Sequence, residues 1–201
     1  MINRHRLHRS VGILLLSPLV AWSLTGLVFL IQPGYGAAYE FLQVRTYPLA
    51  STLQIPPNPQ WQEVRVLRTV LGTHLLVKTE AANLHLDASN GQPFAAISDA
   101  QAIHLVNDAV SINPARYGEI LTLENGLFRS STGIEISLNW DTLSLQQYGR
   151  DTLWIDRLYK LHYLQWTGIK PLDKLLGVLG LFLLIVASIT GAMMLKRSIK
   201  I

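Results

Sequence analysis

The 201-residue chain contains no cysteine. That excludes disulfides, thiolate metal sites and covalent c-type haem attachment, and it leaves the compartment open, since many exported domains carry no disulfide. Acidic residues are missing from both ends. All 13 lie between Glu40 and Asp173, whereas Arg4, Arg6 and Arg9 precede the first long apolar run and Lys196, Arg197 and Lys200 follow the last. The ends therefore carry +6 and residues 40–174 carry −2. A nucleic-acid-binding protein concentrates basic charge on its folded domain, so no nucleic-acid partner is expected. Also absent are a Gly-rich phosphate loop, a Gly-x-Ser-x-Gly elbow and a His-Glu-x-x-His pair. Glu119, Glu124, Glu135 and Asp141 fall into no catalytic pattern, and no catalytic residues or metal site are expected.

What is present is two uncharged apolar runs, Val11–Ile31 and Leu175–Leu195. Each has the ~20 residues that a helix needs to cross a ~30 Å hydrocarbon core. The first run is long for a signal sequence and lacks a good small-residue cleavage site, so it reads as a retained anchor. Pro18 is expected to kink or loosen it. In the second run, Gly177, Gly180 and the Ala187/Gly191 pair would permit close helix packing. Basic residues outside both runs place both ends in the cytoplasm and residues between them in the periplasm of a bacterial inner membrane.

The layout expected is a basic tail (1–10), transmembrane helix (11–31), Pro-rich linker (32–60), folded α+β domain (61–150), interfacial helix and turn (151–173), transmembrane helix (174–195) and tail (196–201). In the domain, alternation predicts strands at 74–80 and 83–87, and residues 61–71 read as a strand. Ser98-Asp99 caps a helix over 99–111. Strands follow near 119–123, 127–130, 134–139 and 143–147, with turns at Asn90-Gly91 and Asn125-Gly126. Strands, helix, strands implies one antiparallel sheet with a helix on one face. His74 and His85 fall on neighbouring strands, where with Asp87 they form at best a weak metal site and read as surface histidines. Over 151–167, Ile155, Tyr159, His162 and Trp166 share a helical stripe, while Trp154, Tyr159, Tyr163 and Trp166 form an aromatic membrane belt. Gly168 and Pro171 are expected to break the chain before the second span.

The two membrane regions echo each other. Arg6-Leu7-His8-Arg9 leads to Ser23-Leu24-Thr25-Gly26, and Lys160-Leu161-His162-Tyr163 leads to Ser188-Ile189-Thr190-Gly191. These motifs, with Leu86-Asp87-Ala88-Ser89-Asn90-Gly91-Gln92-Pro93 and the helix start at Asp99-Ala100, resemble the PepSY-associated transmembrane family over most of the chain. The resemblance implies a PepSY-like domain between membrane helices. Larger relatives carry more membrane helices, and some are similar to ferric-siderophore reductases that bind b-type haem through histidines. It therefore points to His8 and His162 as haem ligands. These lie at opposite ends of the spans and cannot hold one haem within one chain, but a dimer would pair like with like. The expected function is a membrane-anchored binding or accessory protein that presents its domain to a protein or peptide partner, alone or as a subunit of a larger membrane complex. The alternatives are haem b-dependent electron transfer, as in iron-siderophore reduction by a homodimer or partnered subunit, and regulation of a periplasmic peptidase.

Overall fold

A computed structural model of the chain describes residues 4–50, 52–55 and 57–198. In chain order its elements are α1 (Arg4–Ile31), α2 (Tyr35–Ala38), β1 (Trp61–Thr69), β2 (Gly72–Thr79), β3 (Asn83–Asp87), α3 (Asp99–Val110), α4 (Pro114–Tyr117), β4 (Ile120–Glu124), β5 (Leu127–Ser130), β6 (Glu135–Asn139), β7 (Ser144–Tyr148), α5 (Arg150–His162) and α6 (Lys170–Ser198). They fall into two units. One comprises Met1–Tyr35 with Leu153–Ile201, and the other is Gly36–Thr152. The expected tails at 1–3 and 199–201 lie outside the described residues.

In the terminal unit, α1 and α6 are each long and apolar enough to cross a bilayer, and they run antiparallel against each other. Leu14, Leu16, Leu24 and Leu30 of α1, and Leu181, Phe182, Ile189 and Leu195 of α6, remain exposed. Apolar surface this continuous needs a lipid solvent. The basic N-terminal stretch is not a loose tail: the helix already runs from Arg4 and continues through Pro18. Pro171, expected to break the chain, instead lies in the first turn of α6, where its missing N–H costs no helical bond.

Helix α5 stops at His162, short of the residue 167 suggested by the aromatic stripe. Gln165 N–H donates to Lys160 C=O at 2.8 Å and Leu164 N–H to Leu161 C=O at 3.4 Å, the paired bonds of a Schellman termination. Leu164 occupies the position usually given to glycine, with φ +55°. Its side chain is buried, and that burial offsets a conformational cost of roughly 1–2 kcal/mol. Trp166 thus falls off the helical stripe, and its indole N–H donates back to Leu161 C=O at 3.3 Å.

The central unit contains two antiparallel sheets, β1-β2-β3 and β4-β5-β6-β7, where the sequence suggested one. The physical reason is that β4–β7 pairs only with its own sequence neighbours, so the chain begins a second meander after α3. Asn125 and Gly126, at φ +53° and +78°, close the β4–β5 hairpin in the left-handed conformation its twist favours. Ser98 accepts from Gln101 N–H while the Gln101 side chain accepts from Ser98 N–H, a complete capping box. This sets α3 so that Ala102, Leu105, Val106, Ala109 and Val110 join Ile120, Phe128, Ile136 and Leu145 in one core. Leu42 and Val44 enter that core too, and Gln43 and Tyr47 bridge to Ser144 and Arg68. Residues 42–47, read as linker, are therefore part of the fold, because their alternate apolar side chains fill a sheet edge.

Candidate functional site

The sequence echo becomes a reciprocal pairing. Near one end of the helix pair His8 Nδ1 lies 3.0 Å from Thr190 Oγ1. Near the other, His162 Nδ1 lies 2.8 Å from Thr25 Oγ1. The histidine of each motif meets the threonine of the other, because α1 and α6 are antiparallel. Thr25 donates its hydroxyl proton to Ala21 C=O at 2.6 Å, and Thr190 donates to Val186 C=O at 2.8 Å. A hydroxyl has one proton. With that proton on the helix carbonyl, each threonine oxygen accepts, so each imidazole carries its proton on Nδ1. Nε2 is then the basic nitrogen, and among the described residues it has no hydrogen-bond partner at either histidine. Thr25 is almost fully buried, and both histidines are half-buried.

The two sites differ in their surroundings. His162 packs edge-on to Phe29 and Tyr163, and its carbonyl accepts from Trp22 Nε1 at 2.6 Å. An open hollow of about 350 Å³ lies beside it, lined by Trp22, Tyr163, Leu164, Gly177 and Leu181. At the other end the His8 ring lies over Gly191, where a Cβ would come within 3.2 Å of His8 Cε1. Seventeen residues of helix between His8 and Thr25 correspond to ~25 Å, so the two imidazoles stand far apart.

The packing glycines divide in the same way. Gly180 faces Leu164 and the Trp22 ring, Gly177 faces the backbone of Tyr163 more loosely, and Gly191 faces His8. Ala187 supplies a carbonyl that Thr190 also approaches, at 3.1 Å. Gly191→Leu is expected to push the imbedded His8 ring off Thr190. The histidine Nδ1 resonance of a labelled sample should then shift to that of a solvent-bonded ring while helix content holds. All four residues of the aromatic belt, Trp154, Tyr159, Tyr163 and Trp166, are exposed, and Tyr159 also stacks on Phe29 at 4.6 Å between ring centres.

His74 and His85 correct the surface reading. His74 is completely buried and His85 nearly so, because β2 is the middle strand of its sheet and Phe94 and Trp140 close over the pair. Their hydrogen bonds form a single chain. His85 Nδ1–H donates to Trp140 C=O at 2.7 Å, so its Nε2 accepts from His74 Nδ1–H at 2.8 Å. His74 Nε2 then accepts from the Thr69 hydroxyl at 2.7 Å. Every link is satisfied with both rings neutral. Burial pushes His74 down to about 4, with the neighbouring His85 adding to the effect and Asp87 opposing it. Burial also lowers His85, against the Trp140 carbonyl bond and Asp141. Asp87 is held instead by Ser89, and among the described residues no cluster of three metal-ligating side chains occurs.

A second polar cluster had no signal in the sequence. Arg116 Nη1 donates to Asp151 Oδ2 at 2.8 Å and Nη2 to Gln147 Oε1 at 2.7 Å. Its Nε lies 3.8 Å from Glu40 Oε2. Burial works against the charge on Arg116, but the Asp151 carboxylate outweighs it and raises the guanidinium's affinity for its proton.

Comparison with family models matches residues 3–198 to one described as a PepSY-associated TM region. No curated protein and no solved structure matches the chain.

Proposed function

The chain belongs to the PepSY-associated transmembrane family, and from that premise we propose that it is a membrane-anchored accessory subunit that supplies one haem-ligating histidine at each end of its helix pair. The observation that carries this reading is the reciprocal His–Thr pairing. Axial ligation uses a neutral imidazole nitrogen, and donation by the other ring nitrogen to a fixed acceptor orients the ring. Thr25 and Thr190 do this for His162 and His8, leaving Nε2 basic on both. The hollow beside His162 leaves open space next to that ring, and at the other end the bare Cα of Gly191 lets the His8 ring pack flat against α6. Bound haem would supply one-electron chemistry near each face of the bilayer.

Each histidine provides a single ligand, and the helical separation keeps the two from sharing one iron. A second copy of the chain or a partner subunit completes each site, which unites the accessory and electron-transfer readings. The basic residues at the helix ends favour a cytoplasmic location for both ends, with the central domain in the periplasm of the inner membrane, where it would meet a protein or peptide partner.

The test is an optical spectrum of detergent-purified protein after haem supplementation, oxidised and then reduced with dithionite. The expected result is a Soret band with sharp reduced α and β bands, weakened by about half in His8→Ala or His162→Ala and lost in the double variant. A band unchanged in the double variant, or none at verified loading in the native chain, refutes the assignment.

A further inference from the structure

We propose that the lysine-rimmed hollow at the α5–α6 turn is a binding site for an anionic glycerophospholipid, with the phosphate among Lys160, Lys170 and Lys174 and an acyl chain along Val178 and Leu181. The hollow is open and measures about 670 Å³. Its two halves differ in chemistry. The upper half has the three lysines and the exposed Tyr163, and the lower half has Gly177 and the exposed side chains of Val178 and Leu181 on the membrane-length helix. A site polar above and apolar below, at the end of such a helix, matches an amphiphile that lies along the helix with its headgroup at the water boundary.

The charge is one-sided. Three lysines face one carboxylate, Asp173, and that group is turned inward: its Oδ1 accepts from Thr167 N–H at 2.9 Å and Thr167 Oγ1 at 2.7 Å. Among the described residues, none of the three lysines has a carboxylate partner in a salt bridge. The turn that brings them together is fixed by the Schellman termination of α5 and by Gly168 at φ +73°. The cluster lies at the end of α6 opposite Lys196 and Arg197, so it is separate from the basic flank that sets topology. A soluble anion would use the lysines alone and leave the apolar lower wall without a role, and this favours the lipid. The site does not depend on haem: none of its cationic groups is a proposed ligand.

The experiment uses the full chain, stripped of lipid in a non-ionic detergent and titrated with phosphatidylglycerol or phosphatidylcholine of identical acyl chains under native mass spectrometry. Phosphatidylglycerol is expected to bind at least about tenfold more tightly. The Lys160→Gln/Lys170→Gln/Lys174→Gln variant should lose that preference. Leu181→Glu, which keeps all three lysines, should weaken binding of both lipids. Equal binding of the two lipids, or a preference that survives the triple substitution, overturns the proposal. Release of bound phosphatidylglycerol by millimolar inorganic phosphate also overturns it, in favour of a site for a soluble anion.

Discussion

Arg116→Ala is expected to destabilise the central unit by roughly 2–4 kcal/mol. The Arg116 side chain is only 9% exposed and is held by Asp151 at 2.8 Å. Removing one partner of a buried pair leaves the other charge without compensation, at a cost of about 3–5 kcal/mol. Asp151 and Glu40 each retain 31% exposure, so water screens part of that loss and the lower range applies. The position matters as much as the pair. Gln147, bonded to Arg116, donates to Ala38 C=O at 2.9 Å, and Glu40 accepts from Asn113 at 3.0 Å. Arg116 therefore fastens the stretch where the chain enters this unit to the stretch where it leaves. Hydrogen exchange over residues 36–44 and 144–152 should accelerate together in the variant. Arg116→Lys should recover only part of the loss, since an ammonium cannot reach Asp151 and Gln147 in the fork geometry. Unchanged exchange at both stretches would show that the cluster does not hold them.

The second large effect is acid sensitivity of the same unit. His74 titrates at about 4 in the fold against an ordinary value of 6.5, so the unfolded chain binds more protons between those values. Stability contributed by the neutral pair is complete above pH 6.5 and falls as the pH drops towards 4, by roughly 2–3 kcal/mol for His74 alone. The structural cause is the direction of the hydrogen bonds. Trp140 C=O fixes His85, and His85 fixes His74, so the neutral pair already holds two N–H protons: a third on His85 Nε2 would face His74 Nδ1–H, and one on His74 Nε2 would force the Thr69 hydroxyl to turn its own proton away. Thermal melting of the full chain from pH 7.5 to 4.5 should show a falling midpoint. His74→Phe/His85→Phe, which replaces the pair with apolar rings, should flatten the profile even if it lowers the midpoint at pH 7.5. A native profile that is already flat would remove the pair from any role in acid stability.

Much of this architecture was legible from local pattern. The membrane-length runs, the strand at Trp61–Thr69, the Ser98 cap and the Asn125-Gly126 hairpin depend on residues close in sequence, where hydrophobic period and turn chemistry act directly. What local pattern left out was which partner each element takes. Alternation along β4–β7 is the same whether the strands extend β1–β3 or form their own sheet, so a single sheet was the simpler expectation. Alternation also assigned His74 and His85 to a polar face, because a histidine counts as polar until a second layer covers it. Phe94 and Trp140 form that layer from elsewhere in the chain. The short helix bearing Arg116 has a local start signal in Asn113-Pro114, but the role of Arg116 exists only because residues 40, 147 and 151 converge on it.

The candidate site shows the same division. The sequence by itself determined that two membrane-length helices carry matching His and Thr motifs, since both composition and spacing are local. Only the tertiary structure decided that each histidine is bonded to the other motif's threonine. Antiparallel packing reverses one helix relative to the other, so the start of α1 meets the end of α6, and a hydroxyl already committed to its own helix carbonyl can only accept. From that constraint follow the proton on Nδ1 and the basic Nε2, on which the proposed chemistry depends.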